Sequence, residues 1–119
     1  MKLEPNLWFD EVVKTYHLIS PHIHHTQLVT CPDLNEELGG RYLFKPESLQ
    51  ITGSFKVRGA LSAISRLSKD ELKRGVIAYS SGNHAQGVSL AANKLGIRSV
   101  IREEELTSCK EILGSIRNR

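Results

Sequence analysis

The sequence has few cysteines and no long apolar run. Its two cysteines are Cys31 and Cys109, which form neither a metal-binding motif nor a dense disulfide framework. We therefore expect both thiols to be free in a reducing cytoplasm. No apolar run approaches the roughly 20 residues that span a membrane, and residues 1–5 lack the apolar core of a signal peptide. These absences favour a cytoplasmic protein with no membrane partner.

Charge of one sign is also not concentrated anywhere. The chain has 119 residues and a formal net charge of +3, with 39% hydrophobic and 24% charged residues. Such a composition is typical of one small globular domain. Without a clustered tract of lysine and arginine, the small positive excess indicates solvated faces, and we expect no nucleic-acid partner.

A metal site is also not favoured by the sequence. Three histidines, His22, His24 and His25, occur within four residues. No acidic residue or cysteine stands beside them at ligand spacing, so a polar loop is the better interpretation. We expect no metal.

One lysine stands at a chemically suitable position. Gly53 predicts a tight turn, Ser54 is a favoured N-cap residue, and the apolar residues that follow recur at helical spacing, which predicts a helix over residues 55–67. Lys56 then lies in the first turn of this helix, where the helix dipole disfavours an ammonium, and we expect its neighbours Phe55 and Val57 to desolvate it partly. Both effects favour a Schiff base with an aldehyde. The alternative is an ordinary solvated lysine, which is the commoner case.

A second stretch has the pattern of an anion-binding turn. Residues 76–79 form a short apolar run that predicts a buried strand, residues 80–83 are small and polar, and a helical pattern over residues 84–95 ends at Gly96. Backbone N–H groups at such a helix start bind anions, and Ser80, Ser81 and Asn83 add side-chain donors. The alternative is an ordinary strand-to-helix turn with a serine or asparagine cap.

Together the two stretches resemble a known family. The sequence LFKPESLQITGSFKVRGA at residues 43–60, followed by SSGNHAQ at residues 80–86, resembles the fold-type II pyridoxal-phosphate enzymes. Phe55 and His84 favour the branch of serine/threonine dehydratases (ammonia-lyases) and serine racemases over the relatives that make cysteine. The resemblance runs from about Asp10 to about Ile101, which is about the first third of a typical family chain.

The resemblance implies a role for each motif residue. Lys56 would bind the aldehyde of pyridoxal 5'-phosphate and act as the catalytic base, Phe55 would pack near the cofactor ring, and Asn83 would donate to its phenolic oxygen. The substrate carboxylate would be bound by Ser81, Gly82 and His84, with support from Ser80 and Gln86. The substrate implied is L-serine or L-threonine.

The resemblance also implies a fold. It is α/β and tryptophan synthase β-like, a partial parallel sheet with flanking helices. Residues 1–75 would begin the large cofactor domain, and residues 76–119 would begin the small one. We expect strands near Leu43, Ile77 and Val100, the last two parallel with a right-handed crossover, and a further helix over residues 7–19. Ser68 and Glu71 predict a capping box.

The sequence departs from the family after Ile101. None of the 119 residues provides the glycine-rich loop that cradles the cofactor phosphate in the family. Two hypotheses therefore remain. The chain belongs to an ammonia-lyase that converts L-threonine or L-serine to a 2-oxo acid and ammonia, or to a serine racemase; alternatively it is a catalytically inactive truncated isoform that acts as an interaction fragment. Assembly into a homo-oligomer is open in each case.

Overall fold

The computed structural model describes residues 5–102, which form five α-helices and two β-strands. The helices are α1 (Pro5–Ile19), α2 (Pro32–Glu37), α3 (Lys56–Ile64), α4 (Lys69–Arg74) and α5 (Asn83–Lys94), and the strands are β1 (Val76–Tyr79) and β2 (Ser99–Arg102). Short 3₁₀ turns occupy Ser20–His22 and Glu47–Leu49. The predicted helices and the strands near residues 77 and 100 are confirmed, with α3 shorter than expected.

The two strands pair in parallel, as the sequence predicts. Val76 lies opposite Ser99, and Tyr79 lies opposite Arg102. Helix α5 connects the end of β1 to the start of β2. A parallel pair requires such a crossover, because the chain must return to the end of the sheet at which the first strand began before the second strand can start.

The core lies between α1, α3, α5 and one face of the sheet. Its buried side chains are Ile19, Ile23, Val57, Ala60, Leu61, Ile64, Val88, Ala91 and Ala92. Val57 and Leu61 are its largest fully buried residues. Small alanines on α5 against larger side chains on α3 let the two helices approach closely.

Local signals end and begin the helices where the sequence indicates. The Ser68 side chain accepts a hydrogen bond from the Glu71 N–H, and the Glu71 side chain accepts one from the Ser68 N–H, which confirms the capping box. Gly96 follows α5 with a φ of +69°, a left-handed conformation that glycine adopts without strain.

The prediction of a strand near Leu43 is wrong. Only a single antiparallel bridge forms there, between Val29 and Phe44. Val29 N donates to the Phe44 carbonyl at 2.9 Å, and Phe44 N donates to the Val29 carbonyl at 2.8 Å. Both side chains are exposed, and a strand needs neighbours against which to pack, which this segment does not have in the described part of the chain.

One face of the sheet is open. Val76, Ala78 and Ile101 point toward the core, whereas Ile77 and Val100 are exposed on the opposite face. Parallel sheets are normally covered on both faces. The described residues therefore leave one apolar sheet face exposed.

Two further expectations concern sites of other kinds. Within residues 5–102, no helix is long and apolar enough to cross a membrane, and no three histidine, cysteine or acidic side chains are grouped in a way that could hold a metal ion. Cys31 is exposed, while Cys109 and the end of the expected 76–119 domain lie outside the described residues.

Candidate active site

Lys56 is the first residue of α3 and is exposed. The turn before it contains Gly53 with a φ of +68°, as expected for a tight turn, and Phe55 is the N-cap residue. Lys56 Nζ lies 5.1 Å from the centroid of the Phe55 ring, which is itself 59% exposed. The expected partial desolvation of Lys56 is therefore wrong for the described residues, because its flanking residues lie on different sides: Val57 points into the core and Phe55 toward solvent.

Ser54 does not cap α3, contrary to expectation. Phe55 takes the N-cap position, and no side chain bonds to the helix start. Ser54 is only 8% exposed, and its Oγ has no hydrogen-bond partner in the described part of the chain. The turn continues for one residue more than the pattern suggests, which moves the serine out of capping position.

The polar turn after β1 leads directly into α5. Gly82 is the N-cap residue of α5, and its N–H donates to Ser80 Oγ at 3.2 Å. The exposed residues of this 80–86 loop are Ser81, Gly82, Asn83, His84 and Gln86, and Ser80 is half-buried. The first N–H groups of a helix have no acceptor within the helix, so this exposed start can bind an anion.

The fold brings the Lys56 turn and the 80–86 loop together. Helix α5 packs along α3, and the backbone of Gly87 lies against the backbone of Lys56 and Val57. The second turn of α5 therefore lies against the first turn of α3, although the two motifs are more than 20 residues apart in the chain. The roles implied for individual side chains in these motifs stay predictions.

An ion pair holds Arg58, which also lies in the first turn of α3. Arg58 Nε donates to Glu47 Oε2 at 2.7 Å, Arg58 Nη2 donates to Glu47 Oε1 at 2.8 Å, and Thr26 Oγ1 donates to Glu47 Oε1 at 2.6 Å. The Arg58 guanidinium, followed by the Thr26 hydroxyl, lowers the pKa of Glu47 from 4.5 to about 2. This bidentate pair fixes Arg58, two residues after Lys56.

Gln50 makes a second connection to the histidine-rich loop. Its Nε2 donates to the His24 carbonyl at 2.9 Å, and its Oε1 accepts from the His24 N–H at 2.8 Å. Gln50 is buried, so these bonds satisfy its amide. Sequence reasoning missed Gln50 and Arg58, because pairs separated by 11 and 26 residues leave no periodic signal.

Comparisons with known proteins agree with the motifs. Residues 19–108 match the family described as pyridoxal-phosphate dependent enzyme. The chain is 46% identical over 92 residues to L-threonine ammonia-lyase of Thermotoga maritima and 44% identical over 108 residues to serine racemase of Bos taurus. These alignments cover 77% and 87% of this chain, and 23% and 32% of the relatives.

A solved structure shows the same fold. Maize serine racemase superposes with a TM-score of 0.76 at 26% identity, covering 91% of this chain and 40% of that one. The chain spans less than a third of the length of the two relatives above. Its α/β fold is part of a fold-type II pyridoxal-phosphate enzyme, with a parallel two-stranded sheet and flanking helices. With a family match that extends over most of its length, the chain belongs to the pyridoxal-phosphate dependent enzymes.

Proposed function

We propose that this chain is the lysine-bearing and carboxylate-binding part of an ammonia-lyase that acts on L-threonine or L-serine. The observation that carries the proposal is the contact of Gly87, in the second turn of α5, with the first turn of α3. It joins the helix turn that carries an exposed amine to a helix whose start is exposed, and exposed helix starts of this kind bind anions. The relatives named above are a threonine ammonia-lyase and a serine racemase, which supports the substrate class.

The residues fit the aldehyde end of pyridoxal phosphate. Lys56 offers an exposed amine for the aldehyde, Phe55 offers an exposed ring beside it, and Asn83, the first residue of α5, offers an amide for the phenolic oxygen. When bound, the cofactor withdraws electrons from the substrate α-carbon. A loop for its phosphate would have to come from elsewhere, since the 119 residues contain no glycine-rich loop of that kind.

The chain's own residues would orient the substrate and move one proton. Ser81, Gly82 and His84 would bind the carboxylate at the start of α5, with Ser80 and Gln86 in support. Lys56 Nζ would accept the α-proton. Loss of the β-hydroxyl then leads to a 2-oxo acid and ammonia.

A serine racemase is the second candidate within the same chemistry. The relatives include serine racemases that match the same part of this chain, and both reactions begin with removal of the α-proton. In a racemase the proton returns to the opposite face and the β-hydroxyl is kept. Release of D-serine against release of a 2-oxo acid separates the two reactions.

A non-catalytic interaction fragment is the candidate from another class. The open sheet face with Ile77 and Val100 favours it, because an exposed apolar face of a parallel sheet is suited to bind another chain. Such a fragment would bind full-length subunits. The division at residue 75, a cytoplasmic location and a homo-oligomer also stay predictions.

Reductive trapping tests the role of Lys56. We expect borohydride reduction in the presence of pyridoxal phosphate to place the pyridoxyl label mainly on Lys56, as read by peptide mass spectrometry. Lys69 is a matched internal control, because it is also an exposed lysine at the first position of a helix. Its helix, α4, precedes β1, whereas the 80–86 loop follows the opposite end of that strand. Lys56→Ala should remove the main label, and Lys69→Ala should not. Equal labelling of Lys56 and Lys69 would contradict the proposal.

A further inference from the structure

Gly87 on α5 lies very close to the backbone of the first turn of α3. A Cβ placed on Gly87 would lie 3.0 Å from the Lys56 carbonyl carbon, 3.1 Å from the Lys56 carbonyl oxygen and 3.1 Å from Val57 N. All three atoms belong to the backbone of the first turn of α3. A backbone cannot turn away as a flexible side chain can, so a methyl group at this position requires the α3 backbone to give way by a few tenths of an ångström.

Space, and not backbone conformation, restricts a side chain at Gly87. The residue lies inside α5, and its φ is not among the positive values, so alanine could adopt its backbone conformation. Gly59, on α3, is a helical glycine of the opposite kind, because an added Cβ would meet no atom within 4 Å among the described residues. The two glycines differ in their neighbours and not in their secondary structure.

The contact lies where it can set the geometry of the site. Asn83 and Gly87 are four residues apart and therefore share a face of α5. Gly87 contacts the turn that carries Lys56, and Asn83 lies one helical turn earlier, within the 80–86 loop. The spacing between the Gly87 and Lys56 backbones consequently determines how near that loop lies to Lys56.

We propose that Gly87 is a positioning residue that sets the separation between the Lys56 backbone and the 80–86 loop. The inference rests on the proposed function for its chemical consequence, because Lys56 and Asn83 would hold the same cofactor. Its geometric part is independent of any cofactor. Gly87→Ala should displace the start of α5 from the first turn of α3 while the chain stays folded.

Nuclear magnetic resonance of the cofactor-free 119-residue chain tests the geometry. In the wild type we expect nuclear Overhauser contacts between the Gly87 α-protons and the Val57 amide proton. In Gly87→Ala we expect the contacts between α5 and the first turn of α3 to weaken and the Val57 amide resonance to shift. Gly59→Ala should leave both unchanged.

Three outcomes would overturn the inference. The first is a wild-type chain without the Gly87–Val57 contact. The second is a folded Gly87→Ala variant whose α3 first-turn resonances match those of Gly59→Ala. The third is a Gly87→Ala variant that fails to fold, since Gly87 would then be needed for folding and not for position.

Reductive trapping tests the chemical consequence in the same variants. We expect the ratio of pyridoxyl label on Lys56 to label on Lys69 to fall by roughly 3- to 10-fold in Gly87→Ala, because small misplacements of reacting groups lower rates steeply. A purely structural role would leave this ratio unchanged in the folded variant. An unchanged ratio would overturn the positioning role. If the wild-type ratio is itself near one, the cofactor role of Lys56 fails, and the resonance data still decide the geometry.

Discussion

Alternate residues around the start of α3 have very different surroundings. Ser54 is buried without a hydrogen-bond partner in the described part of the chain, Lys56 is exposed, and Arg58 is held by a carboxylate. These differences arise because a helix turns by about 100° per residue, so neighbouring side chains point in different directions. The exposed Lys56 therefore lies between a buried residue and an ion-paired residue in the chain.

Ser54→Ala should not destabilise the chain. The buried Ser54 hydroxyl makes no hydrogen bond in the described residues, so its removal takes away a desolvated polar group and no bond. We expect the free energy of unfolding in urea to stay the same or to rise by about 1 kcal/mol. Ser62→Ala is the matched control, since the Ser62 hydroxyl accepts a bond from Arg66 and its loss should destabilise. A loss of stability in Ser54→Ala equal to that of Ser62→Ala would contradict this.

Glu47 should make stability depend on pH in the acid range. Its folded pKa of about 2 lies below the ordinary value of 4.5, chiefly because Arg58 bonds to it. A lowered folded pKa gives a contribution that is complete above about pH 4.5 and is lost as the pH falls from there toward 2. Glu47→Gln at pH 7 should lower the free energy of unfolding by about 1–3 kcal/mol. Urea unfolding between pH 7 and pH 2 measures both effects.

The control for Glu47 is the exposed carboxylate of Asp70. Asp70 pairs with Lys73 at 3.2 Å, but both side chains are largely solvated. Asp70→Asn should change stability little, because exposed ion pairs are screened by water. The free energies of unfolding of the wild type and Glu47→Gln should approach each other as the pH falls. If they did not, the pair with Arg58 would not be the source of the pH dependence.

Among the elements, two glycines limit the strand–helix–strand unit in different ways. Gly75 precedes β1 with a φ of +81°, and Gly96 follows α5 with a φ of +69°. A Cβ on Gly75 would lie 2.6 Å from the Arg98 carbonyl oxygen, whereas one on Gly96 would meet nothing within 4 Å among the described residues. The first position therefore demands glycine for both conformation and space, and the second for conformation alone.

Alanine at these two positions should separate strain from overlap. Gly96→Ala should lower the free energy of unfolding by about 1–2 kcal/mol, the cost of a left-handed conformation. Gly75→Ala should lower it by about 2–5 kcal/mol, because overlap with the Arg98 backbone is added to that strain. Urea unfolding of the two variants under the same conditions measures the difference. An equal decrease in the free energy of unfolding in both variants would show that small movements relieve the overlap with Arg98.

At the scale of the molecule, the described residues form a core with one side left open. The face of the sheet with Ile77 and Val100 is exposed, and so are Trp8 and Val12 on α1. The segment that matches this chain makes up less than a third of the length of the two relatives named above. The open surfaces are where other segments or chains would pack.

We expect the 119 residues on their own to be catalytically inactive. Without a loop for the cofactor phosphate, the cofactor would be weakly held and poorly aligned, and a misplacement of about 1 Å can lower a rate on the order of 10²-fold. The measurements are release of a 2-oxo acid from L-serine and L-threonine, and formation of D-serine, each with saturating pyridoxal phosphate. Turnover that Lys56→Ala abolishes would show that the chain supplies a phosphate site of its own.

Much of the local structure and the family could be predicted from the sequence. The positions of helices α1, α3 and α5, the parallel strands, the turn at Gly53 and the capping box at Ser68 were predicted correctly, although α3 is shorter than expected. Most of these features depend on residues within a few positions of one another. The two motifs that identify the family are also contiguous stretches. The roles of their side chains toward cofactor and substrate stay predictions.

What the tertiary structure alone decided concerns contacts between distant residues. The Glu47–Arg58 pair, the burial of Ser54 and the exposure of Lys56 depend on how α3 lies against the loops before it and against α5. The strand expected near Leu43 was reduced to one bridge because its segment has no sheet to join in residues 5–102. Burial and pairing are properties of neighbours in space, and a periodic pattern in the chain carries no information about which neighbours those are.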